Sequence, residues 1–123
     1  PHKLYLNNCD GTFADVSDSS GIEVPEGVWS AAFGDLNNDG LLDLFVGGVS
    51  GLFYGEFRPG PNEIFLNGGD NTFEPISRKA GVTTQANTCG VAMSDYDEDG
   101  FQDLFVANCG GGVSPELLKN NET

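Results

Sequence analysis

Two nine-residue stretches concentrate the side chains able to do chemistry. In "DLNNDGLLD", Asp35, Asn37, Asp39 and Asp43 fall at positions 1, 3, 5 and 9. In "DYDEDGFQD", Asp95, Asp97, Asp99 and Asp103 fall at the same positions. Alternate residues of a curled loop turn their oxygens toward one point, and that suits a hard divalent cation. Calcium takes about six to eight oxygens in forgiving geometry, from carboxylates, carboxamides and backbone carbonyls. Gly40 and Gly100 stand at position 6, where a sharp turn is eased by a residue without a Cβ. At position 7, Leu41 and Phe101 can add their backbone carbonyls. An EF-hand loop would close with a bidentate Glu at position 12; here that position is Val46 or Val106, and no helical pattern flanks either loop. The spacing therefore predicts short loops at β-hairpin tips, each holding one Ca²⁺.

The competing reading is an acidic turn without a metal. Against it stands repulsion: four carboxylates share the second loop, with Glu98 beside them, and unpaired they would raise one another's pKa values or splay the turn. Two calcium ions would set +4 against the chain's formal charge of −14. Magnesium fits less well, because it holds on to its waters. The same acidity argues against nucleic acid or an anionic membrane surface as partner, and no run of about 18 apolar residues predicts a membrane span. Catalysis has few candidates. His2 is the single histidine and offers no Ser-His or Cys-His pair, the clustered acids have ligand spacing, and Gly110-Gly111-Gly112 lacks the lysine of a phosphate loop.

The elements that must position these loops follow from an internal repeat. Shifting the chain by 60 residues superposes "PHKLYLNNCDGTFADVSDSSGI" on "PNEIFLNGGDNTFEPISRKAGV", and "SAAFGDLNNDGLLDLFVGG" on "GVAMSDYDEDGFQDLFVAN", with 18 of 60 positions identical. "ELLKNNET", Glu116 to Thr123, begins a third copy, and the first unit carries seven extra residues within "GLFYGEFRPGP". Each unit reads as four short strands: Ala31 to Gly34, Asp43 to Val46, Glu63 to Leu66 and Thr72 to Ile76, then a connector with room for one helical turn. Period and strand count predict an all-β fold of four-stranded antiparallel propeller-type blades. The expected division is an outer half-blade over 1–22, a complete blade over 30–82 with its loop at 35–43, and an inner half-blade over 90–123 with its loop at 95–103. That is about two blades' worth, open rather than a closed ring, since closure takes about four to eight blades.

"AAFGDLNNDGLLDLFVGG" resembles an FG-GAP repeat, the unit of integrin α-subunit propellers. "LYLNNCDGTFADVS" with its acidic loop is similar to the related VCBS-type repeats of secreted acidic cartilage-type and bacterial surface proteins. The resemblance covers nearly the whole chain and implies one Ca²⁺ per blade hairpin and a structural, adhesive role. Met93 and Ser94 depart from the Phe-Gly pair of the first copy.

The cysteines sit on the same hairpins. If Asp95 faces Asp103 and the register holds, Cys89 faces Cys109 within reach of a disulfide, where the first unit has Trp29 and Val49 as an apolar contact. Such a bond implies an oxidising compartment; a bulge would break the register, and free thiols at buried strand positions are the alternative. Cys9 is left over, exposed in a turn and open to pairing with another chain. Asn121-Glu122-Thr123 is a glycosylation sequon, and Asn87-Thr88-Cys89 its rare cysteine variant. Phe53, Tyr54 and Phe57 in the insertion either anchor a partner or fold back, and Trp29 is expected in the core. The whole predicts a calcium-stabilised extracellular repeat segment, not an enzyme, whose partners are further repeats of a longer chain or identical chains in a ring or fibre. The alternatives are a glycan- or protein-binding module and a non-catalytic domain of a larger secreted enzyme.

Overall fold

Short runs of Val, Phe, Leu and Ile between Gly-, Asn- and Asp-rich turns leave little choice but strands. The computed structural model, which describes residues 2–24, 27–48, 51–53, 56–58, 60–109 and 112–121, is all-β with one short 3₁₀ turn at Ser17–Ser19. The strands are β1 (Tyr5–Asn7), β2 (Phe13–Asp15), β3 (Val28–Gly34), β4 (Asp43–Gly48), β5 (Gly51–Phe53), β6 (Glu56–Arg58), β7 (Glu63–Asn67), β8 (Phe73–Pro75), β9 (Thr88–Ser94), β10 (Asp103–Asn108) and β11 (Glu116–Leu118). All pairings are antiparallel: a four-stranded sheet β3-β4-β7-β8, a three-stranded sheet β11-β10-β9, and the pairs β1-β2 and β5-β6. None closes into a barrel. The insertion is not a plain loop, because its two halves pair as β5 and β6. Tyr54 lies outside the described residues, as do the side chains of Phe53 and Phe57. Among the described residues no helix is long and apolar enough to cross a membrane.

The two larger sheets pack face to face. On β4, Leu44 and Val46 point one way and Phe45 the other, the alternation of any strand. Phe45 and Ile64 meet Leu104 and Val106 of the next sheet, with Val82 completing the cluster. Leu44, Val46 and Phe65 gather on the opposite face with Ile22, Val24, Val28 and Phe73. Every residue of β4 is therefore buried, which explains why "DLFV" reads as an unbroken apolar run behind its aspartate. The innermost strands β3 and β9 lie against each other, and Ser30 Oγ donates to the Thr88 carbonyl at 3.2 Å. Gly34 lies at this contact, where a Cβ would have to push aside the flexible ends of the Met93 and Gln102 side chains. The opposite face of the first sheet is less well filled. An apolar cleft of about 250 Å³ opens there among Leu4, Ile22, Val28, Phe33, Leu44 and Val46.

Both inner hairpins carry a β-bulge at the same place, and this corrects two expectations. Val28 pairs with Gly48 and Ser30 with Gly47, so Trp29 is an extra residue and stays 64% exposed rather than joining the core. Val49, its expected partner, lies outside the described residues. In the second sheet Thr88 pairs with Asn108 and Gly90 with Ala107, which makes Cys89 the extra residue. Cys89 and Cys109 are thus not in the direct register that constant pairing required. A bulge kinks and twists the strand locally, and the two Cα atoms still come within 5.8 Å, joined by a disulfide.

Candidate metal centre

Each acidic segment forms the tip between two strands, one ending just before it and the next beginning on its last residue: β3 stops at Gly34 and β4 starts at Asp43, while β9 stops at Ser94 and β10 starts at Asp103. Two left-handed residues curl each tip, Asn38 (φ 56°) with Gly40 (φ 85°), and Glu98 (φ 60°) with Gly100 (φ 95°). Glycine takes this conformation freely and asparagine tolerates it; Glu98 meets a steric penalty. The curl aims backbone N–H groups inward at the first aspartate. Asp39 N–H donates to Asp35 Oδ1 at 3.1 Å and Gly40 N–H to Oδ2 at 3.0 Å. In the second tip the same bonds run from Asp99 and Gly100 to Asp95, at 3.0 and 2.8 Å. The position-5 acid is held alike, by Leu41 N–H on Asp39 at 2.8 Å and Phe101 N–H on Asp99 at 3.0 Å.

The closing aspartates clasp three strands. Asp43 is fully buried and accepts from Leu36 N–H at 2.8 Å and from Asn67 N–H at 2.9 Å. Asp103, 2% exposed, accepts from Tyr96 N–H at 3.3 Å and Asn120 N–H at 2.8 Å. Burial pushes the Asp43 carboxyl above its ordinary range, the carboxylates of Asp39 and Asp35 add to this, and the two N–H donors oppose it. The third-strand asparagines escaped the sequence reading. Asn67 Nδ2 also donates to the Leu42 carbonyl at 3.0 Å, and Asn120 Nδ2 to that of Gln102 at 3.2 Å. The signal was an Asn recurring at the same place in every copy: Asn7, Asn67 and Asn120. Asn120 does more, because its Nδ2 also reaches the Leu36 carbonyl of the first tip at 2.7 Å. Asn38 Nδ2 returns the contact to the Gly100 carbonyl at 2.8 Å. The two tips are therefore neighbours, hydrogen-bonded across the two sheets.

Ligand oxygens of Asp95, Asp97 and Asp99 lie within 4.8 Å of one another, a group able to hold a metal ion. The donor set is all oxygen, which fits a hard cation. Each carboxylate oxygen that takes one N–H keeps acceptor capacity to spare. The tips differ at position 3. In the first, Asn37 Nδ2 donates to Asp39 Oδ2 at 2.9 Å. In the second, Asp97 cannot donate, and Lys119 Nζ bonds both Asp97 and, at 3.0 Å, Asp99. The Phe101 N–H, and after it Lys119, hold the Asp99 carboxyl below its ordinary range, and the pair of aspartates raises Lys119. Asn121 is exposed, while Glu122 and Thr123 of its sequon lie outside the described residues. Cys9 is a free, exposed cysteine in a left-handed turn at φ 61°.

Comparison with known sequences agrees with this anatomy. The profile of the FG-GAP-like repeat matches residues 2–46 and again 52–106. Cartilage acidic protein 1 of Xenopus tropicalis is 28% identical over 113 residues, covering 88% of this chain and 16% of that protein. Cartilage acidic protein 1 of Homo sapiens is 29% identical over 98 residues, covering 79% of this chain and 14% of that protein. The chain thus spans about one-sixth of the length of these curated relatives.

Proposed function

Since the chain belongs to the FG-GAP-like repeat family, we propose that it is an extracellular, calcium-braced structural and adhesive segment whose blades stack on one another and do no catalysis. Two calcium ions would be held, one by Asp35, Asn37, Asp39, Asp43 and the Leu41 carbonyl, the other by Asp95, Asp97, Asp99, Asp103 and the Phe101 carbonyl. A bound ion supplies positive charge where carboxylates crowd. The chain's own groups do the rest: inward N–H donors orient the first and fifth positions, and the buried Asp43 and Asp103 tie each tip to the third strand. The extracellular setting draws on the Cys89–Cys109 bond and on the kinship with cartilage acidic proteins.

One observation supports stacking above the others. Phe45 and Ile64, at 0% and 3% exposure, are covered by the next sheet, while their counterparts Phe105 and Leu117 stand open at 46% and 53%. That face suits a further blade, from a longer chain or an identical one. The test is thermal melting with and without a calcium chelator, alongside sedimentation of the untreated protein. Chelation is expected to lower the melting temperature by about 10 °C, and the open face to drive association. A strictly monomeric chain indifferent to chelator sinks the reading.

A further inference from the structure

Among the described residues, one cation contacts an acidic tip, and it belongs to the protein. Lys119 follows β11 and occupies the place that Leu66 holds beside the first tip. The register sets this equivalence: Leu104 pairs with Leu118 as Leu44 pairs with Phe65, so the next residues are Lys119 and Leu66. Two of the charge differences between the sites, leaving aside Glu98 in place of Asn38, are matched. Where the first tip has the neutral pair Asn37 and Leu66, the second has Asp97 and Lys119, and the added ammonium lies on the added carboxylate. Counting ligand aspartates with the third-strand residue, both sites carry the same net charge, but the second reaches it with a tethered cation.

We propose that Lys119 is a built-in competitor of the second metal site: its ammonium occupies Asp97 and Asp99 and must leave them for a divalent cation to enter. This rests on the calcium reading above and adds to it that the two sites are regulated differently. Among the described residues, the first has no such cation to displace. The second exchanges one cation for another, so its affinity is set by a residue outside the nine-residue loop. The side chain is free to make the exchange, because Lys119 remains 46% exposed while paired. A unit charge a few ångströms from a divalent ion in a partly solvated site is worth about tenfold in affinity.

The experiment is calcium titration of the whole chain, read site by site from the amide NMR signals of Gly40 and Gly100, whose N–H groups donate to Asp35 and Asp95. Lys119→Leu gives the second site the residue of the first. Lys119→Gln keeps the length and polarity in case the leucine perturbs folding. Both are expected to lower the calcium midpoint at Gly100 about tenfold and to leave that at Gly40 within about twofold. Calcium responses at both glycines, with the Gly100 midpoint unmoved in Lys119→Gln, would overturn the competitor role while leaving calcium binding intact. Silence of both glycines in the unaltered protein would overturn the calcium reading itself, and this inference with it.

Discussion

The hairpins β3–β4 and β9–β10 are two copies of one design placed in different surroundings. They share the curl at the tip, the inward N–H donors, the buried closing aspartate and the bulge at the far end. They differ in what lies around that frame. Phe45 is sealed between sheets, whereas Phe105 is 46% exposed. The first bulge presents Trp29 to solvent, and the second is locked by Cys89 and Cys109. The backbone bonds of the tip thus belong to the repeat, while burial, crosslinking and charge balance belong to position along the stack.

The sharpest way to break this comparison is to truncate the two phenylalanines. Phe45→Ala is expected to cost about 3–5 kcal/mol, because a fully buried ring leaves a cavity. Phe105→Ala on the isolated chain is expected to cost less than about 1 kcal/mol. Urea unfolding reads both, and equal losses would mean that the second face is covered in solution. The next effect concerns the far ends of the hairpins. Replacing Cys89 and Cys109 together by Ser removes a crosslink between residues separated by 20 in sequence. Chain entropy puts that loss at about 3 kcal/mol, against about 0.5 kcal/mol or less for Trp29→Ala at the equivalent bulge. Stability to denaturant with and without reductant measures the first, and a reductant-insensitive midpoint contradicts it. The smallest effect separates the third-strand asparagines. Asn67→Ala loses the bond to Leu42 and the one its Oδ1 accepts from the Gly69 N–H, whereas Asn120→Ala loses the bonds to Gln102 and, across the tips, to Leu36. Each should cost about 1–2 kcal/mol, and an Asn120→Ala cost clearly below that of Asn67→Ala would show that the bond between tips adds nothing.

Much of this architecture was legible because its signals are local. Gly40 and Gly100 mark sharp turns, the "DLFV" runs mark strands, the first of them buried on both faces, and the spacing of 60 marks the repeat. The bulges were not legible. Pairing arithmetic from Asp95 and Asp103 assumes one residue against one, and nothing in "VWS" or "TCG" announces an extra residue. The cysteines met all the same, since a one-residue slip still leaves opposed backbones within disulfide reach. Trp29 was misplaced for the same cause: apolar character argues for burial, but a bulged residue leaves the alternation that would have turned it inward. The insertion concealed a hairpin because two three-residue strands are too short to show periodicity. Asn67 and Asn120 were missed because ligand spacing was sought within nine residues, while their bonds cross 24 and 17 positions of sequence.

The disulfide also bears on how the segment would carry load. The acidic tip and the Cys89–Cys109 bond lie at opposite ends of β9–β10, so the hairpin is shut at both. Tension applied along the chain would pass from Cys89 to Cys109 through the sulfur bridge and bypass the residues between them. Some 20 residues, roughly 70 Å of extended chain, would be withheld from stretching until the bond is reduced. Under such tension the second tip would keep its shape after the first had been pulled open, and the redox state of the surroundings would set the segment's reach.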